Sequence, residues 1–271
     1  MGAKTGIEWT DATWNPVTGC TKVSAGCKFC YAERDFHRPY PERDFSDVRC
    51  HPDRLAWPLR WRGSKQAKAE GRRSRIFVNS MSDLFHESVP FEFIDKVCGM
   101  THACAQHTFQ ILTKRPIRMV EYDYWRAANN PHAPAWPSNV WLGVSVEDQK
   151  TADERVPLLI QTPAAVHWVS YEPAIKAVDF RFQKRGYLRE RISTNPSESL
   201  VPIDWVVAGG ESGPHARPSH PDWFRSAKQQ CGDAGIPLFM KQITEKGRKI
   251  PFEQWPEDLQ IREFPIEGEA R

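Results

Sequence analysis

Six short apolar runs, each ending in polar or glycine residues, constrain the fold of this chain more than any other feature. They cover 75–83 (Arg-Ile-Phe-Val-Asn-Ser-Met-Ser-Asp), 109–116, 140–148, 166–173, 204–211 and 237–242. Continuous apolar, β-branched runs separated by longer stretches of helical character are the pattern of buried parallel strands. Helices are predicted between them over 91–107, 149–161 and 221–234, the last carrying Trp223, Phe224 and Ala227 at helical spacing. With a first strand near Thr13–Val17 the chain holds six or seven βα units. A closed eight-fold barrel needs another unit or two, so the predicted fold is α/β, a partial (β/α)6 barrel. The alternative is a doubly wound open sheet, but no Gly-x-Gly-x-x-Gly opens a helix here. In parallel barrels the chemistry gathers at the carboxyl ends of the strands, which is where these runs turn polar.

One domain over 1–248 is expected, interrupted by insertions at 31–74 and 181–203, with 249–271 as a loose tail rich in proline and glutamate. Eleven tryptophans and 14 phenylalanines among 271 residues supply ample core and exclude global disorder. No apolar stretch approaches the ~20 residues that span a bilayer, and no signal-peptide core follows Met1, so a cytoplasmic protein with no membrane partner is expected. In that reducing setting seven cysteines argue for metal ligation and free thiols before disulfides. Net charge is only +3, yet 34–75 holds 12 Lys/Arg against 6 Asp/Glu. Those cations are interleaved with Phe36, Tyr40, Phe45, Trp57 and Trp61, a footprint for phosphates and stacked bases. DNA or a nucleotide is the partner this segment predicts; a solvated insertion is the plain alternative.

Cys20, Cys27 and Cys30 form a Cys-x6-Cys-x2-Cys run in one glycine-bounded loop. Three thiolates from such a loop can hold three corners of a cubane iron–sulfur cluster and leave the fourth iron open. A structural zinc site would normally be closed by a fourth Cys or His; the nearest spare ligands are His37, Cys50 and His51. A zinc-binding nucleic-acid adaptor without catalysis is the reading that follows if zinc is the metal. Cys98 and Cys104 read as buried small hydrophobes.

The ending Cys27-Lys28-Phe29-Cys30, Cys-x-aromatic-Cys, resembles the signature of radical S-adenosylmethionine enzymes, although their usual first gap is three residues. The wider frame resembles the phage Gp37/Gp68 family. It runs from Ile7-Glu8-Trp9-Thr10 through Trp14-Asn15-Pro16-Val17-Thr18-Gly19-Cys20 to Gly209-Gly210-Glu211-Ser212-Gly213. The resemblance implies a partial barrel with one [4Fe-4S] cluster on the three cysteines and S-adenosyl-L-methionine on the open iron. An external electron donor would start reductive cleavage to a 5′-deoxyadenosyl radical that abstracts hydrogen from substrate. The phage resemblance also implies a viral setting and a nucleobase substrate in DNA, such as a thymine decorated by an amino acid, undergoing rearrangement. A small metabolite or nucleotide is the alternative substrate.

The resemblance places Phe29 near the adenine, with Tyr31 beside it. Relatives carry Gly-Gly-Glu at the end of the second strand to hold the methionine amino group. This chain has Asn79, Ser80, Ser82 and Asp83 there, so Asp83 is expected to take the ammonium, with Asn79 and Ser80 assisting. Lys114 and Arg115 close the third strand and could meet a carboxylate or a phosphate. Ser145, Glu147 and Asp148 on the fourth suit ribose hydroxyls. Glu172 and Glu211, ending the fifth and sixth, are candidates for cofactor or substrate contacts.

Overall fold

Seven strands form one sheet in the order in which the chain makes them, and every pairing is parallel. They are β1 (Ala12–Trp14), β2 (Ser74–Val78), β3 (His107–Thr113), β4 (Val140–Ser145), β5 (Val166–Tyr171), β6 (Trp205–Gly209) and β7 (Leu238–Gln242). The computed structural model describes residues 5–129, 136–181, 203–245 and 248–265. A doubly wound sheet reverses its strand order at a switch point; this order never reverses, which removes that alternative. Right-handed crossovers that always advance in one direction put every helix on the same face. The sheet therefore curls into a partial barrel, with β1 and β7 unpaired to one another.

Strand alternation sorts the side chains. Ile76, Val78, Phe109, Ile111, Leu142, Val144, Val169, Val206 and Met240 share one core with the helices. Those helices are α2 (Phe91–Ala103), α3 (Pro116–Asn129), α4 (Gln149–Leu159) and α5 (Pro221–Ala234); α1 (Tyr31–Phe36) lies in the first crossover. The opposite, inner face carries Phe77, Trp141, Trp168, Trp205 and Phe239, one ring from each of five strands. Trp9, just before β1, packs among them, its ring 4.7 Å from Phe77, 5.2 Å from Trp168 and 6.3 Å from Trp205. Gly143 makes room for this layer: a Cβ there would lie 2.5 Å from the Trp168 indole. The rings floor the barrel and leave its polar mouth at the carboxyl ends of the strands.

Local chemistry explains the element boundaries. The first strand stops at Trp14, because Pro16 has no amide hydrogen for a ladder. Val17–Thr18 pairs antiparallel with Arg49–Cys50 in a separate ribbon instead. A capping box between Asp148 and Thr151 starts α4. Left-handed Gly235, φ 69°, stops α5.

Over 249–265 the chain is not the loose tail its composition predicts. Trp255 and Leu259 are buried in the core, and Arg262 bridges antiparallel to Phe239. Met240 donates its amide to Ile261 O and Glu263 donates to Leu238 O, so the open edge of β7 is covered. Phe264 stacks on Trp205 at 5.5 Å. Arg262 and Lys249 both reach Glu8, at 3.2 and 3.3 Å. The insertion expected at 181–203 lies outside the described residues apart from its two end positions.

Candidate functional site

The three-cysteine loop leaves the ribbon through Gly19, whose φ of 91° and closeness to the Asp47 carbonyl, 2.5 Å from a would-be Cβ, admit no side chain. Cys20 follows, its amide donating to Phe45 O at 2.8 Å. Cys27 closes a 3-10 turn over Ala25–Cys27. Cys30 is the residue that starts α1; its sulfur makes no capping hydrogen bond, but the nearby amides of Ala32 and Glu33 favour its thiolate. All three thiols are half-buried and line one cavity with about 1030 Å3 of empty space out to its open mouth. Trp9, Phe77 and Leu112 lie at its base, and the carboxyl ends of the strands form its walls.

Three charged residues staple the loop across this mouth. Glu147 accepts from Ser24 Oγ at 2.6 Å and from the Gly26 amide at 3.0 Å. It also pairs with Lys114 at 2.9 Å and Arg155 at 3.3 Å. Burial alone would push this carboxyl up; the Lys114 ammonium, the Ser24 hydroxyl and the Arg155 guanidinium bring it down to about 2. Gly26 has no room for a side chain, because a Cβ would run into the Glu147 carboxylate. Arg115 donates to Thr21 O at 3.0 Å, Thr21 Oγ1 at 2.9 Å and Cys20 Sγ at 3.5 Å. Arg217 donates to Ala25 O at 3.0 Å and holds Glu211 at 2.6 Å.

Burial pushes the Cys20 thiol up to about 12, with the Asp83 carboxylate adding to the rise and Arg115 opposing it. Burial also raises Cys30, against the pull of its two amides. Both thiols are therefore protonated at neutral pH, and binding a metal would release those protons.

Phe29, Tyr31, Asn79, Ser80, Ser82, Asp83, Lys114, Ser145, Glu172 and Glu211 all line the cavity with the three cysteines. Glu147 does not: its carboxylate lies beneath the loop and is spent on it, so ribose contact is the wrong role for this group as it stands. Asp83 is likewise engaged. Its oxygens accept from Phe85 N at 3.0 Å, Thr113 Oγ1 at 2.7 Å, Lys114 N at 3.0 Å and Arg115 Nη1 at 3.4 Å, which leaves no lone pair for an incoming ammonium. Asn79 is different. Held at φ 61°, it accepts from Val17 N through Oδ1 at 3.1 Å, while its buried Nδ2 has no partner. Tyr31 donates to Ser80 O at 2.8 Å, which locks the start of α1 onto the end of β2.

Ser170, Lys241 and Gln242 also line the mouth and were not singled out from sequence. Lys241 pairs with Glu172 at 3.0 Å. The available signal was position, since both Lys241 and Gln242 end the last apolar run.

The basic segment divides. Ser64 donates its amide to Ser74 Oγ at 2.8 Å, His107 contacts Trp61 O at 3.2 Å, and Arg72 pairs with Asp11 at 2.7 Å. Ser74, His107 and Asp11 stand at the amino ends of β2, β3 and β1, so 61–75 sits at the opposite end of the barrel from the cysteines. Arg43 and Arg49 are committed to Asp47, and Arg54 donates to Asn15 O and Tyr40 Oη. Arg75 lies over the Phe264 and Trp141 rings in the floor. Arg34 stays at the mouth, donating to Ser212 O at 3.4 Å.

Among the described residues no three His, Cys, Asp or Glu side chains converge on a point that would surround one metal ion. A cubane asks for a different arrangement, because each thiolate takes its own iron. Three thiols on one loop, facing a cavity that has room beside them, suit that donor set.

Fold and site together define a parallel α/β partial barrel with a three-thiol loop over its mouth. Residues 4–258 match the family described as "Protein of unknown function (DUF5131)", and the chain belongs to that family. No curated protein matches. Among solved structures the chain is similar to a cysteine-to-serine mutant of spore photoproduct lyase. The identity is 9% and the TM-score 0.46, over 87% of this chain and 77% of that one. Among the described residues no helix is long and apolar enough to cross a membrane.

Proposed function

We propose that this chain is a radical S-adenosylmethionine enzyme, with Cys20, Cys27 and Cys30 holding a [4Fe-4S] cluster at the barrel mouth. The observation that carries the reading is the placement of three thiols from one loop on the wall of the cavity that opens at the strand ends. When bound, the cluster and S-adenosyl-L-methionine would supply a radical able to abstract hydrogen from a substrate. The chain's own residues supply the frame. Glu147, Arg115 and Arg217 fix the loop, and the floor of rings keeps water from the base of the cavity. The unpartnered Asn79 amide is a donor for the cofactor carboxylate or a ribose hydroxyl, and Ser80, Ser82 and Ser145 offer hydroxyls nearby. Phe29 is a face for the adenine. Lys241 with Glu172 lies on the β5–β7 wall and is available to a polar substrate.

A nucleobase remains the proposed substrate, supported by the likeness of the Trp14–Cys20 and Gly209–Gly213 frame to phage proteins, which also implies a host-cytoplasm setting; the radical chemistry calls for an external electron donor. If DNA is the substrate, phosphate contacts fall to rim cations such as Lys28 and Arg34. The distance of Arg60, Arg62 and Arg73 from the mouth favours the second reading, a free nucleotide or small metabolite. Anaerobic reconstitution should give about four irons per chain, and reductant with S-adenosylmethionine should give 5′-deoxyadenosine. One zinc per chain and no such product would overturn the proposal. Salt-dependent oligonucleotide binding that Lys28→Ala and Arg34→Ala weaken, and Arg60→Ala and Arg73→Ala do not, would select DNA over a small molecule.

A further inference from the structure

We infer that Arg115 tunes the reduction potential of the cluster by donating to the Cys20 thiolate, with Glu87 as an outer counter-charge that moderates it. This rests on the reading that the three cysteines hold a cluster. The three sulfurs have unlike surroundings. Cys27 has the Ser24 hydroxyl 3.8 Å away, and Cys30 lies near the amides of Ala32 and Glu33. Among the described residues, Cys20 is the one of the three with a cation in hydrogen-bond contact, Arg115 Nη1 at 3.5 Å.

The guanidinium is fixed. Its side chain is 4% exposed, and each nitrogen is spoken for. Nε donates to Glu87 at 2.9 and 3.0 Å, Nη2 to Thr21 O and Oγ1, and Nη1 to Cys20 Sγ and Asp83 Oδ2. Arginine cannot shed its proton in this setting, so the charge beside Cys20 is permanent. Reduction adds one negative charge to a cluster and its thiolates. A fixed cation and N–H donor on one ligating sulfur stabilises that more negative state and makes reduction easier. Asp83 opposes from inside the network at 3.4 Å. Glu87 opposes from its rim, where its side chain is 63% exposed.

The same geometry predicts changes of opposite sign at the two residues. Arg115→Gln should make reduction about tenfold less favourable at a fixed donor potential, which is 59 mV for a one-electron couple. Glu87→Gln should make it a few-fold more favourable, because the guanidinium then faces the sulfur without its outer partner. The experiment is a potentiometric titration of the anaerobically reconstituted full chain, followed by electron paramagnetic resonance without S-adenosylmethionine, with iron counted on each sample. Shifts of opposite sign at unchanged iron content support the inference. Equal potentials in parent and variants, or shifts of one sign, overturn it while leaving the cluster reading intact. If Arg115→Gln takes up no iron, Glu87→Gln decides: a parental or lower potential overturns the inference and a higher one supports it. A parent chain that binds no iron overturns the cluster reading, and the inference with it.

Discussion

Replacing Glu147 by glutamine should loosen the cysteine loop without touching a cysteine. The carboxylate is 1% exposed, so solvent screens its partners little. Its folded value near 2, against an ordinary 4.5, corresponds to about 3 kcal/mol of stability at neutral pH. Removing one partner of a buried ion pair costs a comparable 3–5 kcal/mol. Glutamine keeps an oxygen for the Gly26 amide but turns an NH2 toward Lys114 and Arg155. Arg155 retains Ser145 O at 2.8 Å, whereas Lys114 loses its ion-pair partner. Urea unfolding at pH 7 should show the variant about 3 kcal/mol weaker, roughly 6–12 °C in melting temperature.

The sign with pH follows from the depressed value. This contribution is full above pH 4.5 and is lost as pH falls from there toward 2, so parent and variant should converge over that window. A difference under about 1 kcal/mol at pH 7, or one of equal size at pH 7 and pH 3, would refute the assignment of Glu147 as the ionised anchor of the loop.

Two further substitutions probe the same architecture. Gly143→Ala drives a methyl into the Trp168 indole and should cost about 1–3 kcal/mol by overpacking, read as a lowered melting temperature with the fold retained in circular dichroism. Gly26→Ala pushes on the Glu147 carboxylate; iron uptake should fall sharply while the urea midpoint of the barrel moves less than in Glu147→Gln.

Much of this barrel is written locally. The apolar runs containing Ile76, Ile111, Leu142, Val169, Val206 and Met240 became strands because each combines β-branched or bulky residues with an abrupt polar end, a pattern that needs no knowledge of neighbours. The cysteine loop is legible for the same reason. What sequence could not convey is the partner of each polar strand end. Glu147 meets Gly26 from 121 positions away and Arg115 meets Thr21 from 94, so strand-end placement marked both as site residues without revealing that they serve the loop. Strand-end position assigns Asp83 to a ligand, yet Thr113 and the Lys114 amide reach it first. Charge counting over 34–75 is blind in a related way: it does not show that Arg72 answers Asp11 or that Arg75 lies against aromatic rings at the other end of the barrel. The prolines and glutamates of the final segment give it the composition of a loose tail and hide the spacing of Trp255, Leu259 and Phe264.

The aromatic floor draws on both flanks of the sheet: Glu8 and Trp9 come before the first strand, Arg262 and Phe264 after the last. Neighbouring βα units can dock as they emerge during synthesis, because their contacts span few residues. Closing the floor requires a loop of some 250 residues, the most costly contact in chain entropy. Joining the two flanks is therefore the step of this barrel that carries the largest loop-closure cost.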